Sequence, residues 1–327
     1  MQNFKKNKIT ARSIAADGLS QRAVVFLLLG AAAISLAPIF VRLSEVGPSA
    51  TAFYRVLFAV PVFILWMIYD KKHDNIHRQP NSLKDYARLG LAGIFFAGDL
   101  SFWHWSIKLT SIANATLLAN FAPIFITLGS FFLFGERFNR VFLGGMILSM
   151  LGVALLLGDS FVFHFGHLVG DVFGLIAAVF YAAYLLAVSR LRIDFSTVTV
   201  ITWSGFATCV CMVPITYLSG ESFIAPTLYG WAVLFGLALI SHAAGQSLIA
   251  FSLAHLPAAF GSVGLLLQPA LATIIAWIIF DENLGAMQVM GGLVVILGIY
   301  FVIFEKKSSI NKTPKSIPNP TISLKFR

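Results

Sequence analysis

Two stretches of the sequence repeat one pattern: FAPIFITLGSFFLFGER at residues 121–137 and LLQPALATIIAWIIFDEN at residues 266–283. Each stretch has a proline, then an apolar run, and then a glutamate 13 residues after the proline. The matching pairs, all 146 residues apart, are Pro123 and Pro269, Thr127 and Thr273, Phe134 and Phe280, and Glu136 and Glu282. The pattern therefore indicates an internal duplication.

The composition is that of an integral membrane protein. Of the 327 residues, 58% are hydrophobic and only 11% are charged, whereas soluble domains hold about 25% charged residues. A spanning helix needs about 20 mostly apolar residues, and ten such runs can be found. They cover residues 23–43, 49–69, 89–107, 111–134, 141–158, 170–189, 197–218, 229–252, 257–280 and 286–304. The sequence predicts an all-α membrane protein with ten spans.

The basic residues predict the orientation of these spans. Twenty of the 23 Lys and Arg residues fall in the two tails and in the even-numbered connections. Because basic residues gather on the cytoplasmic side of membrane proteins, we expect both termini to be cytoplasmic, in a cell membrane such as a bacterial inner membrane. This distribution also accounts for the net charge of +9 without a nucleic-acid partner.

The duplication divides the ten spans into two sets of five. We expect a basic N-terminus at residues 1–22, a first repeat at 23–158, a second repeat at 170–304, and a basic, disordered tail at 305–327. Because five is an odd number, the second repeat enters the membrane with the opposite orientation. Inverted repeats are typical of secondary transporters, whose substrate site lies where the two repeats meet.

The chain resembles the EamA-like transporters of the drug/metabolite transporter superfamily. The residues that carry the resemblance are AFYRVLFA (52–59), FWHWSIKLTSIANATLLANFAPIF (102–125), LFGER (133–137), GDVFGLIAAVFYAAYLLA (170–187) and LLQPALATIIAWIIFDE (266–282). The resemblance implies a carrier or exporter of a small metabolite, such as an amino acid or another amine-bearing compound. An importer or exchanger of the same fold remains an alternative, and so does a receptor or assembly protein that transports nothing.

Asp99 lies midway along the third predicted span. An acid at that depth costs about 2.5–3.5 kcal/mol on insertion scales, so it should face water or a partner. At helical spacing it shares a face with Phe95, Trp103 and Ser106, which suits an amino group beside an aromatic wall. It could also carry a coupling proton. The competing interpretation is a structural ion pair with Arg55, unless Arg55 instead extends to the membrane surface or binds an anion.

Further polar residues in the spans could line a substrate site or simply hold helices together. These candidates are Tyr54, His104, Asn120, Tyr181, Tyr184, His242, Gln246 and Gln268. Pro123 and Pro269 are expected to kink their spans, because a proline cannot donate to the preceding turn. Glu136 and Glu282 follow span ends and are expected to be structural.

Small residues form stripes on two spans: Gly145, Ser149 and Gly152 on the fifth, and Gly291 and Gly298 on the tenth. Such stripes permit close helix packing, which we expect within each repeat, with a homodimer as the alternative. The seven histidines are scattered, so neither a metal site nor another cofactor is expected. No GxSxG, HExxH or P-loop motif is present, and the sequence therefore does not predict an enzyme.

Overall fold

The computed structural model describes residues 21–73, 77–158, 165–280 and 285–312, and every regular element within these ranges is a helix. Nine helical segments there are long and apolar enough to cross a membrane. Together with the long helix Leu83–Leu109, they are numbered in chain order: α1 Gln21–Leu43, α2 Pro48–Asp70, α3 Leu83–Leu109, α4 Asn114–Phe134, α5 Arg140–Gly158, α6 Leu168–Asp194, α7 Thr197–Ser219, α8 Leu228–Ser252, α9 Ala258–Phe280 and α10 Ala286–Ile303. The last of these continues as helix to Lys312.

Helix α3 is longer than the apolar run at residues 89–107 that marks it in the sequence. Its 27 residues correspond to about 40 Å at 1.5 Å per residue. The extra turn at its start is polar and is capped by Ser82, whose hydroxyl accepts a hydrogen bond from the Asp85 N–H. Asp99 and His104 make the second half of α3 less apolar than the other helices.

Several helices are interrupted inside the bundle. Breaks occur at Leu36 in α1, at Phe58 in α2, at residues 120–121 in α4 and at Leu266 in α9. In α1, α4 and α9 the segment after the break carries a proline in its first turn, namely Pro38, Pro123 and Pro269. That is the position where a helix tolerates proline, because the first N–H groups have no intrahelical partner. Helix α8 instead contains a π-helical segment, Leu237–Gln246.

Residues that match across the duplication make matching hydrogen bonds. The Thr127 hydroxyl donates to the Pro123 carbonyl at 2.7 Å, and the Thr273 hydroxyl donates to the Pro269 carbonyl at 2.9 Å. One turn after each break, the same side chain therefore bonds the same proline carbonyl.

The small-residue stripes of α5 and α10 pack against each other. A Cβ atom built on Gly145 would lie 2.9 Å from the Gly298 carbonyl oxygen, and one built on Gly152 would lie 2.8 Å from the Gly291 carbonyl oxygen. The stripes thus join residues 23–158 to residues 170–304, which corrects the expectation that each stripe serves packing within its own repeat. Glycine permits this approach because it leaves room for the opposing backbone.

The α5–α10 contact should be sensitive to a single methyl group. A Cβ atom at Gly152 would lie 2.5 Å from the Val295 nitrogen, so Gly152→Ala forces the two backbones apart. We expect a loss of about 1–3 kcal/mol, the usual range for overpacking. It would appear as a lower thermal midpoint of the detergent-purified protein.

Gly144→Ala is the matched control, because a Cβ atom at Gly144 meets nothing within 4 Å. This variant should unfold at the temperature of the wild type or slightly above it, since alanine favours helix. Equal midpoints for Gly152→Ala and Gly144→Ala would contradict the close packing.

Candidate functional site

A cavity of about 170 Å³ lies inside the bundle. Its walls come from α1, α2, α3 and α4 and from α6, α8 and α9, so it lies between the two stretches that the duplication relates. Eight of the residues singled out in the sequence line it: Arg55, Asp99, Trp103, Asn120, Tyr181, Gln246, Gln268 and Pro269. These eight residues come from six helices.

The cavity is located where helices break. It is lined by Pro38 beside the break in α1, by Asn120 at the break in α4 and by Pro269 beside the break in α9. A proline cannot donate a hydrogen bond to the carbonyl four residues before it. For Pro38 and Pro123 these carbonyls belong to Ile34 and Ala119, which also line the cavity. Irregular backbone at membrane depth is tolerated where it borders such a cavity.

Asp99 faces this cavity with Trp103, which lies one turn further along α3. The rest of the predicted face is different. Phe96 lines the cavity in place of Phe95, which packs beside Phe180. The Ser106 hydroxyl is buried and donates to the Gly170 carbonyl at 2.7 Å. The cavity face of α3 is therefore turned by about one residue from the helical-wheel prediction.

Arg55 supplies the opposite charge. It is buried, with 7% of its surface exposed, so it does not reach the membrane surface. Among the described residues, neither Arg55 nor Asp99 forms a hydrogen bond or an ion pair within 4 Å, although each lies in the other's electrostatic field. Charged side chains at this depth need an interaction partner. The cavity that both residues line has room for a ligand or water to be that partner.

The amide of Gln268 and the ring of Tyr181 lie together in the same wall. The Gln268 amide interacts with the Tyr181 side chain, whereas the Arg55 Nε atom is enclosed and has no hydrogen-bond acceptor within the described part of the chain. The cavity is therefore lined by the Arg55 guanidinium, which retains donor capacity, and by the Asp99 carboxyl group. A polar ligand could satisfy both.

Tyr184 and His242 do not line the cavity but support its wall. Phe96 lies between them, with ring centroids 4.6 Å from Tyr184 and 5.5 Å from His242. His242 belongs to the π-helical segment of α8, and Gln246 at the end of that segment lines the cavity. Single π-helical turns are frequent at functional sites.

Other predicted site residues lie elsewhere. The Tyr54 hydroxyl donates to the Phe223 carbonyl at 2.6 Å, and its ring packs on Trp231. His104 is buried with its Nδ1 atom on the Leu100 carbonyl, beside Trp103. Pro123 is buried behind Asn120 in the second segment of α4. Glu136 follows the left-handed Gly135 that ends this helix, and its N–H donates to the Ser130 carbonyl. Glu282 lies outside the described residues.

The cavity is also lined by residues that the sequence did not single out, among them Ser35, Pro38, Phe96 and Thr116. A signal for Pro38 was available, because the tetrapeptide APIF occurs both at residues 37–40 and at residues 122–125. Each copy begins one of the helical segments that follow a break. The other three are ordinary residues of an apolar span, and nothing in the sequence distinguishes them.

The described residues contain no group of three or more His, Cys, Asp and Glu side chains that could hold a metal ion. What remains inside the bundle is a small, partly open cavity that Asp99 and Arg55 both line. The fold and the cavity together define a multi-pass membrane protein with an internal polar site.

Comparison with known proteins identifies the family. The family model of the EamA-like transporter family matches residues 21–158 and again residues 168–304, and the chain belongs to this family. An uncharacterized transporter of Archaeoglobus fulgidus is 24% identical over 80% of this chain and 90% of its own length. The uncharacterized transporter YdfC of Bacillus subtilis is 24% identical over 88% and 91%. The pseudopaline exporter CntI of Pseudomonas aeruginosa is 24% identical over 66% and 74%. The protein is therefore a membrane transporter.

A solved crystal structure has the same fold. It superposes with a TM-score of 0.73 over 89% of this chain and 97% of its own, at 19% sequence identity. At this identity the likeness concerns the fold alone.

Two partly buried acids should respond differently to truncation. Asp99→Ala removes no hydrogen bond, but it removes both the cost of an acid at membrane depth and the charge that faces Arg55, so we expect the thermal midpoint of the purified protein to change little. Asp171→Ala removes the acceptor of Thr110 at 2.8 Å and of Asn114 at 3.2 Å. Losing hydrogen bonds to a charged group costs about 1.5–3 kcal/mol, so this midpoint should fall. A similar loss in both variants would show that Asp99 is a structural residue.

Proposed function

We propose that this protein is a secondary transporter that moves a small, amine-bearing metabolite through the central cavity by alternating access. The observation that carries the proposal is the Asp99 carboxyl group, which lines the cavity with Arg55 as its charged neighbour and is in no ion pair within 4 Å in the described part of the chain. An acid at membrane depth destabilises the protein, so an acid that is kept there without an ion pair indicates a functional site. A substrate ammonium group would supply the missing charge, and the Trp103 and Tyr181 rings would add cation–π attraction.

Other residues that line the cavity could bind a hydrogen-bond acceptor on the same substrate. Arg55 and Gln268 present donors to the cavity, and a carboxylate would accept from both. A cavity of about 170 Å³ is also small beside the roughly 300–1,000 Å³ of drug-sized sites. Amino acids and related zwitterions therefore fit the charges and the size better than bulky drugs do.

Alternating access follows from the proposed architecture of ten spans in two inverted repeats, at 23–158 and 170–304, with α3 as the third span. Three observations support it. The family model matches two successive stretches of the chain, matched threonines bond matched prolines, and the cavity lies between the two stretches. With both termini cytoplasmic, the repeats have opposite orientations. Each repeat would then close one side of the membrane.

Export from the cytoplasm across a bacterial inner membrane is the direction we favour, because one relative is named as an exporter. A secondary carrier follows the gradients of its substrate and coupling ion, so import or exchange by the same site is the main alternative. Asp99 could serve a coupling proton as well as the substrate. A receptor or assembly protein that transports nothing would not need an unpaired acid in its cavity.

Asp99→Asn keeps the size of the side chain and removes its charge. In cells that express equal amounts of wild type or variant, we expect the wild type alone to build up one class of amine-bearing compound outside the cell. The variant should lose about tenfold or more of that flux, since 1.4 kcal/mol of lost attraction is a factor of ten. Untargeted metabolite profiling of cells and medium measures both quantities.

Phe95→Leu is the matched control, because Phe95 precedes Asp99 by one turn of α3 and packs against Phe180, not the cavity. It should transport as the wild type does. Accumulation inside the cell would show an importer that uses the same residue. Identical profiles for wild type and Asp99→Asn would remove Asp99 from the mechanism.

A further inference from the structure

The first helix of each proposed repeat ends in an arginine that covers an aromatic ring of the other repeat. The Arg42 guanidinium carbon, near the end of α1, lies 4.1 Å from the ring centre of Phe280, the last residue of α9. The Arg190 guanidinium carbon, near the end of α6, lies 3.4 Å from the ring centre of Phe134, the last residue of α4. Both distances are well within cation–π range.

An acid follows each arginine and holds a second helix of the other repeat. Glu45 accepts hydrogen bonds from the hydroxyl and the N–H of Thr227, which caps α8, at 2.6 and 3.1 Å. Asp194 accepts a hydrogen bond from Arg88, near the start of α3, at 3.2 Å. We call Arg42, Glu45, Thr227 and Phe280 the outer clasp, and Arg88, Phe134, Arg190 and Asp194 the inner clasp, after their sides in the proposed topology.

The two clasps are equivalent under the proposed inversion. The outer clasp joins α1 to α8 and α9, and the inner clasp joins α6 to α3 and α4. Phe134 and Phe280 are a matched pair of the duplication, 146 residues apart, and Arg42 and Arg190 lie 148 residues apart. Two contacts of the same chemistry thus recur at opposite membrane surfaces, between equivalent helices.

All six of these helices also line the cavity, together with α2. Ser35 and Pro38 of α1 line it within two turns of Arg42, and Tyr181 of α6 lines it in the helix that carries Arg190. Separating α1 from α8 and α9 would open the cavity toward the outer surface of the proposed topology. Separating α6 from α3 and α4 would open it toward the inner surface. The structure holds both contacts closed.

We propose that the outer and inner clasps are the two gates of the transport cycle, which open in alternation. This inference rests on the proposed function, because gates have a role only in a transporter. The two aromatic rings fit such a role. Phe134 and Phe280 are half-buried beneath their arginines, whereas the neighbouring Phe132 and Ile278 are exposed on the lipid-facing surface.

Access to Ser35 reports the state of each gate without a substrate. The reporter is Ser35→Cys in a chain whose own cysteines are replaced by Cys209→Ser and Cys211→Ser. A membrane-impermeant maleimide is applied to sealed vesicles of either orientation. Phe280→Leu should raise the labelling rate from the outer side and lower it from the inner side, and Phe134→Leu should do the reverse. A lost cation–π contact should shift each ratio roughly two- to fivefold.

Three controls accompany these variants. Phe280→Tyr and Phe134→Tyr keep the ring face and should label as the reporter alone does. Phe132→Leu removes an exposed ring near the end of α4. In the described part of the chain this ring contacts the Phe131 ring, and its loss should leave the labelling rates unchanged. Three outcomes would overturn the proposal. The labelling rate could change in the same direction on both sides, it could stay unchanged in both the Phe280→Leu and Phe134→Leu variants, or Phe132→Leu could produce the same shift.

The gates and the transport site can fail separately. If the leucine variants leave labelling unchanged while Asp99→Asn abolishes transport, the clasps are not gates and the proposed function stands. If labelling shifts as expected while Asp99→Asn transports normally, the gates stand and the proposed role of Asp99 is wrong.

Discussion

The structure depends on one constraint, that a backbone polar group inside a membrane must find a hydrogen-bond partner. Unbroken helices meet it alone, but α1, α4 and α9 are interrupted where Pro38, Pro123 and Pro269 cannot donate to the preceding turn. All three interruptions lie at or beside the cavity. There, polar side chains or a bound molecule can donate hydrogen bonds to the carbonyl groups that the prolines leave without a donor. The helix interruptions thus determine where the polar cavity lies. The cavity in turn offers hydrogen-bond partners to the backbone groups that the interruptions leave unsatisfied.

The proposed inversion places similar backbones on both sides of the cavity but gives them different chemistry. Residue 245 of α8 is 146 positions after Asp99 and is a glycine. A Cβ atom there would lie 2.6 Å from Ile34, so Gly245 lets α8 approach α1 closely. The neighbouring Gln246 faces the cavity instead. Under the proposed inversion, the first repeat supplies both Asp99 and Arg55 to the cavity, whereas the second supplies the Gln246 amide at the position next to the equivalent of Asp99.

The sequence predicted the helices better than their contacts. Long apolar runs suffice to find the spans, and Asp99 is conspicuous because an acid is costly there. The sequence did not separate it from Tyr54, whose hydroxyl is satisfied by the Phe223 carbonyl, or from His104, which does not line the cavity and whose Nδ1 atom lies on the Leu100 carbonyl. Whether a buried polar group already has a partner depends on residues distant in the chain. The glycine stripes likewise predicted close helix packing but did not indicate which helix is the partner.

The chemistry of the clasps is compatible with a cycle that must run in both directions. A carrier needs its inward- and outward-facing states within a few kcal/mol of each other, so that a substrate can shift their populations. Cation–π contacts at a membrane surface contribute about 0.5–1 kcal/mol each, and exposed ion pairs such as Arg88 with Asp194 contribute a similar amount. A deeply buried ion pair would cost about 3–5 kcal/mol to break and would trap one state. The strong, unpaired charges lie instead in the cavity, where binding can use them.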